Sequence, residues 1–489
     1  MSAGRALLDL RPLRDGGAPF RWYWGGGLLS GLGAQIAMVA VLFQVWEMTR
    51  NPFWVGAIGI VQAVPMIVFG LLGGPVADVL DRRLVGLWST AAQALAALAL
   101  AGQLVLGLYP LPLLLGLISL QTAASALGSP ARRTFTVRLL PAHLVTAGVA
   151  LHMVGFQVVM MVGPALGGLV IGSASVAVCY LVNAVCLVIS WWSFRQLPSN
   201  RPGVAAGPSA VPPVPPVPVV PPVPPVPQPA DGTAREGARA RIWRRTRRGL
   251  VLVAEGVRLV RRDPVLRGSF LLDLAATLLA FPIALFPMVN QELFGGDPRT
   301  LGFFLTAVAV GGVSAGLVSG LVTRAHRLGR VQLLAVGTWG VALLGFGVGA
   351  ATSPWLALGS LVLAGAADTV SVTSRAAMVQ LATADSHLGR VSSVEHVIGV
   401  AGPDIGNARA GAVAGLTTPA AAAIIGSLTC LVVAGWVALT HREIDAFVVA
   451  PDAGHPDPDP GEGDSHDAGP REDGPHDDDP HDDAAPGGL

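Results

Sequence analysis

Twelve transmembrane helices in two pseudo-symmetric six-helix bundles, an all-α integral membrane fold, is what this sequence predicts, on three observations. The 489 residues are 52% hydrophobic and 13% charged, with a mean hydropathy of +0.59, too apolar for a soluble protein of this length. Windows of about 19 residues mark twelve apolar spans. Short elements also recur about 240 residues apart: Gly163-Pro164-Ala165-Leu166-Gly167-Gly168 returns as Gly402-Pro403-Asp404-Ile405-Gly406, an offset of 239. Arg132 and Arg375 repeat at an offset of 243, and Gly74-Asp78-Arg82-Arg83 returns in degraded form as Gly320-Arg324-Arg327-Arg330 at 246. A repeat of that length in an apolar chain implies two homologous halves, the plan by which secondary transporters rock about a central site.

Residues 1–21 read as a cytoplasmic segment that carries charge but no apolar core, so no cleavable signal peptide is expected. The first bundle is expected over 22–197, with spans at 22–46, 53–77, 84–107, 110–129, 146–172 and 174–195. Residues 198–238 form a Pro-rich linker, whose Val/Pro alternation over 211–228 gives about 55 Å of polyproline II spacer. Over 239–267, Trp243, Leu250, Val251, Val253, Val257 and Val260 alternate with Arg clusters, which predicts an amphipathic helix on the anionic inner leaflet. The second bundle is expected over 268–442, with spans at 268–291, 300–323, 331–350, 354–378, 391–415 and 418–440. Each span is long enough for a core of about 30 Å. Residues 443–489 are an Asp/Glu/Pro/Gly tail that cannot bury enough apolar surface to fold. Its histidines, His455, His466, His476 and His481, are irregularly spaced, and no metal site is expected there.

Net charge is +1, and all 32 basic residues are Arg. Only Arg50 and Arg299 fall in the hairpins between odd and even spans, while the other side carries most of the rest. The positive-inside rule then puts both termini in the cytoplasm. With no Lys, a P-loop and a Schiff base are both excluded. Cys179, Cys186 and Cys430 lie within spans and read as buried small hydrophobes.

Three groups of residues carry the functional reading. At the end of the second span, Asp78 with Arg82, Arg83 and Gly74 forms a loop able to close an inner gate in one state and release it in the other. In the fifth span, Pro164 removes a backbone hydrogen bond while Gly163, Gly167 and Gly168 permit tight helix contact. The third group is ionisable: Asp273, Asp368, Arg375, Glu395, Asp404 and Arg409 sit inside spans, where a charge costs at least about 2.5 kcal/mol unless paired or hydrated. Asp404 and Asp368 each lie roughly 20 Å along their spans, near mid-membrane. Proton carriage and structural ion pairing are both open for these residues. Asp404 and Arg409, five apart, do not share a helical face. His152 in the fifth span reads as a packed histidine.

Together these features resemble the major facilitator superfamily. The Gly74–Arg83 stretch is similar to its signature loop, and Gly163–Gly168 looks like the span-five motif of its exporters. More narrowly, Gln62-Ala-Val-Pro65, Ser129-Pro-Ala-Arg132, Gly365-Ala-Ala-Asp368 and Gly402 through Gly411 resemble the siderophore-exporter group. That group usually has Gln where Asp404 stands and Glu where Asn407 stands. The resemblance implies proton-coupled export of a small organic molecule such as a siderophore, by a monomer in the cytoplasmic membrane. No cofactor, metal, nucleic-acid partner or enzymatic activity is expected. Efflux of amphipathic drugs is the alternative on the same scaffold. A non-transporting sensor or scaffold that recruits partners through the Pro-rich and acidic segments is the alternative of another class.

Overall fold

The computed structural model describes residues 9–199, 238–317 and 326–448. Among them every regular element is helical. The spanning helices are α1 (Gly17–Thr49), α2 (Pro52–Ala77), α3 (Arg82–Val105), α4 (Leu111–Leu139), α5 (Ala142–Ser173), α6 (Val176–Arg195), α7 (Pro264–Phe294), α8 (Pro298–Leu317), α9 (Leu328–Thr352), α10 (Pro354–Ala382), α11 (Asp385–Leu416) and α12 (Pro419–Thr440). Eleven are long and apolar enough to cross a membrane. The remaining helix, α11, is 32 residues long, but Glu395, Asp404 and Arg409 keep it too polar for the same test. The count of twelve therefore rests on length alone at α11. Gly320 and Arg324, the Pro-rich linker and the acidic tail lie outside the described residues.

Local chemistry starts the helices. Asn51, Asp81 and Asp263 accept from Phe53 N, Arg83 N and Leu266 N, each at 2.9 Å, and Thr418 accepts from Ala421 N at 3.1 Å. These are N-caps that satisfy otherwise orphaned donors. Pro52, Pro264, Pro298, Pro354 and Pro419 occupy the first helical turn, where the missing N–H costs nothing. The fourth helix runs ten residues beyond its expected end, through Pro130 and Arg132 to Leu139.

The expected unbroken seventh span is interrupted. A π-turn at Ala275–Leu279 leads through Ala280–Pro282 into a 3₁₀ turn at Ile283–Leu285, and α-helix resumes at Phe286. Pro282 and Pro287 lack the donors that a continuous helix needs. The Asn407 side chain of α11 accepts from Ala284 N at 3.0 Å, satisfying a donor that the break exposes.

The pairing pattern repeats. In the first half α1 packs on α5 and α6, α2 on α4, and α3 on α4 and α6. In the second, α7 packs on α11 and α12, α8 on α10, and α9 on α10 and α12. The repeated glycine motifs sit at equivalent crossings. Gly163 and Gly167 of α5 press on Gln35 and Ile36 of α1, and Gly402 and Gly406 of α11 press on Thr277 of α7. A methyl group at Gly163, Gly402 or Gly406 would collide with the neighbouring helix, and one at Gly167 would crowd it. The halves meet through α2–α11 and α5–α8. Large apolar side chains such as Leu95, Val105, Leu334 and Val432 point outward, more than 60% exposed, as expected of a surface solvated by lipid rather than water.

A further helix, Ala238–Arg262, precedes α7. Part of the apolar face expected to meet lipid covers protein instead. Val260 is buried with Phe270, Val379, Val391 and Val394, Gly256 lies against the Arg390 backbone, and Glu255 pairs with Arg390 at 3.1 Å. The helix touches both α2 and α11, while Trp243, Val251 and Val257 stay exposed. A glycine at position 256 allows this close seat.

Candidate functional site

Of the two ends of the bundle, one carries the short hairpins at Arg50–Asn51 and Gly295–Asp297, and here the halves are closed on each other. Gly56 and Gly59 of α2 lie against the α11 backbone at Asp404, Asn407 and Gly411, and Gly302 of α8 lies against Pro164 of α5. Gly168 meets the backbone of Pro298 and Arg299. Arg50 reaches across to Gln291 at 2.8 Å, and Thr306 of α8 donates to the Met161 carbonyl at 3.1 Å. Only glycine lets the backbones approach this far. Pro164 and Gly168 of α5 thus lie where the two halves touch.

Below that closure lies a cavity of about 300 Å³ between α1, α2, α3, α4 and α11. Gln35, Gln62, Gln93 and Gln121 line it with Thr122, Ser125 and the carboxylate of Asp404; Met38, Val41, Met66 and Ile118 form apolar wall. Helical spacing explains the convergence: Gln121 and Ser125 are one turn apart on α4, and Gln35 and Met38 share a face of α1. Asp404 makes no ion pair among the described residues.

A second cavity of about 190 Å³ lies toward the other, Arg-rich end. The inner parts of α2, α4 and α11 line it, and Gly249, Leu252 and Val253 of the 238–262 helix close it. Met66 lines both cavities.

The ionisable residues fall into separate places. Arg375 of α10 forms an ion pair with Asp273 of α7, both side chains 6% exposed, and lies 3.5 Å from Glu395 of α11. Asp368, one face along α10, interacts electrostatically with Asp273 and Arg375. This cluster, one guanidinium among three carboxylates, lies toward the Arg-rich end and outside the central cavity lining. Nine residues along α11, roughly 13 Å, separate Glu395 from Asp404. Arg409 is turned away from Asp404, packed between α7 and α12 beside Phe281, Pro282 and Gly426, and its Nε has no hydrogen-bond partner among the described residues.

In the 78–83 turn, Arg82 lies 3.8 Å from Asp78 and donates to the Ala77 carbonyl at 3.3 Å. Arg83 donates to the Arg195 carbonyl at 2.6 Å and so caps the C-terminal end of α6. The close approach to α4 is made by Gly73 rather than Gly74, around which a methyl would meet nothing. Arg132, the first-half counterpart of Arg375, is held by neutral groups: the Ser125 carbonyl at 2.9 Å and the Ser89 hydroxyl at 3.4 Å. His152 stacks on Tyr23. All three cysteines are free and buried.

The sequence marks Gln62 only as part of a family resemblance, and neither charge nor motif points to Gln35, Gln93 or Gln121 as cavity residues. Their signal is faint: neutral amides scattered one per helix through α1–α4, meaningful only once those helices are bundled.

Two pseudo-symmetric six-helix bundles, closed at one end around a polar cavity at their junction, define a secondary transporter of small molecules. The family model for transmembrane secretion effectors matches residues 9–204 and 242–470, and the chain belongs to that family of major facilitator transporters. It is similar to enterobactin exporter EntS of Shigella boydii serotype 18, 25% identical over 451 residues, 91% of this chain and 97% of the relative. Enterobactin exporter EntS of Escherichia coli O6:K15:H31 is also 25% identical, over 449 residues, with the same coverages. Among solved structures, a mutant of the nucleoside transporter NupG superposes with a TM-score of 0.62 at 14% identity, covering 86% of this chain and 99% of the other. A bacterial homologue of the iron transporter ferroportin in an inward-facing state gives 0.60 at 14% identity, with coverages of 88% and 98%. A D-xylose–proton symporter gives 0.60 at 13% identity, with coverages of 88% and 99%. These structural likenesses establish the fold. The chain is a multi-pass membrane transporter rather than an enzyme.

Proposed function

We propose that this transporter exports a small organic molecule, such as a siderophore, from the cytoplasm in exchange for protons. It would sit in the cytoplasmic membrane as a monomer with both termini inside. The observation that carries the reading is Asp404, a carboxylate without an ion-pair partner among the described residues, placed in the central cavity beside the closed α2–α11 crossing. A carboxylate there can take up a proton from one side and release it to the other as the halves rock. The Asp273–Arg375–Glu395 cluster with Asp368 is a second place where protonation would change the balance of charges between α7, α10 and α11. The Asp78–Arg83 turn would act as the inner gate, and Gly163, Pro164, Gly167 and Gly168 as the outer seal. Likeness to the enterobactin exporters supports siderophore cargo.

Efflux of amphipathic compounds is the second reading, favoured by a cavity wall of neutral amides and thioethers with no aromatic side chain. Proteoliposomes holding the purified chain test the reading, with enterobactin supplied on one side under an imposed pH gradient. Gradient-driven flux that Asp404→Asn abolishes is expected. Flux indifferent to the gradient and to that substitution contradicts the coupling assignment.

A further inference from the structure

We propose that Arg409 of α11 is a positioning residue. It sits at the carbonyl end of the inner half of α7 and, with Asn407, holds the break in that helix so that the outer half of α7 keeps the closed end shut. This role is independent of the cargo and of proton coupling.

The break leaves polar backbone groups that need partners. Pro282 has no N–H, and the Ala284 N–H goes to the Asn407 side chain. The carbonyls that end the π-turn at Leu279 therefore lose donors that a continuing helix would supply. The inner half of α7, residues 264–279, thus ends inside the bundle with the negative end of its dipole uncovered. Arg409 lies at that end. Its side chain shares a small space with Phe281 and Pro282 of the break and with Ala423 and Gly426 of α12. A side chain at Gly426 would run into both the Leu279 carbonyl oxygen and Arg409 Nη2. The carbonyl and the guanidinium therefore converge on one point, and a glycine makes the room. Among the described residues Arg409 forms no ion pair and meets electrostatically only the Cys430 thiol. A guanidinium within a span needs compensation. The carbonyl end of a half-helix supplies it where no carboxylate does.

Asn407 and Arg409 stand on opposite sides of the break. Asn407 takes a donor from the turn that leads into the outer half, and Arg409 sits at the acceptors of the inner half. What they hold in place is the outer half, Phe286–Phe294. Its Gln291 accepts from Arg50 of the first half at 2.8 Å, across the closed end. Asn407 also packs beside Gly59 of α2. α11 thus fixes the broken helix where the two halves meet.

The test is hydrogen exchange on the purified full-length chain in detergent, with a pulsed electron–electron distance between spin labels at Phe53→Cys and Glu292→Cys. Arg409→Met is expected to speed exchange at residues 280–286 about tenfold, to leave α3 unchanged, and to add a longer distance across the closed end. Arg409→Lys, which keeps the charge, should restore most of the protection and the single distance. Gly426→Ala, which parts the Leu279 carbonyl from an intact Arg409, should act as Arg409→Met does. Asn407→Ala combined with Arg409→Met should fall well short of the product of the two single effects, because both side chains hold the same break. An Arg409 that is only a costly buried charge gives the opposite result. Arg409→Met would then raise the unfolding midpoint and leave residues 280–286 as protected as before. That result, independent effects in the double variant, or a distance that does not change overturns the proposal. If Arg409→Met does not fold, Gly426→Ala alone decides by the same two readouts.

Discussion

Arg375 shows how much of a buried charge is settled by its neighbours. The sequence placed it, with Asp273, Glu395 and Asp368, inside apolar spans and left pairing or proton carriage open. The structure pairs Arg375 with Asp273 and places Glu395 within 3.5 Å. Removing the cation strands two carboxylates, a change that typically costs about 3–5 kcal/mol. Arg375→Met is therefore expected to lower the unfolding midpoint in detergent, and adding Asp273→Asn to recover part of the loss; an unchanged midpoint would show the pair to be dispensable. Arg132, its repeat partner, has no such pair of acids around it, and Arg132→Met should be the milder change on the same assay. That the two arginines are equivalent was legible from their offset. Which partners each would find was not, because α7, α10 and α11 converge only in three dimensions. Gln35, Gln93 and Gln121 escaped notice for the same reason, and Gln62 was marked by resemblance alone.

Among the elements, glycine spacing proved the most readable feature and α7 the least. Gly163/Gly167 predicted a close helix crossing, and both that pair and its repeat Gly402/Gly406 make one. The break in α7 depends on Asn407 from another helix reaching Ala284, a contact that Pro282 and Pro287 hint at without specifying. Asn407→Ala should leave that buried amide without a partner, at about 1–3 kcal/mol, measurable as a lower unfolding midpoint and faster hydrogen exchange around residues 280–286. The 238–262 helix carries a different expectation. It touches α2 and α11, which belong to opposite halves, and it closes the 190 Å³ cavity. Rocking must bring those inner segments together, so the helix has to shift. A flexible bis-thiol tether between cysteines at Gly70→Cys and Leu252→Cys should cut flux about tenfold, while each single-cysteine variant treated alike should not. Full flux in the tethered protein would mean that the helix rides passively. The native thiols are buried and will not compete for reagent.

At the scale of the whole molecule, composition and the 240-residue repeat already define two membrane-embedded halves, and the repeated pairing of helices is their structural form. Hydropathy falters only at α11, where the charged residues sit. If the transport reading is right, deleting residues 446–489 should leave most of the flux intact, whereas a scaffold protein would lose its activity; transport by the truncated chain separates the two. The central claim is that the halves rock about the shared cavity, opening one end as the other closes. Its most direct test uses spin labels in two cross-half pairs: Phe53→Cys with Thr417→Cys at the closed end, and Leu80→Cys with Leu381→Cys at the Arg-rich end. Pulsed electron–electron distances would be read across a change of pH and on adding cargo. The account predicts that the first distance lengthens as the second shortens. Two distances that stay fixed, or that change in the same direction, would contradict it.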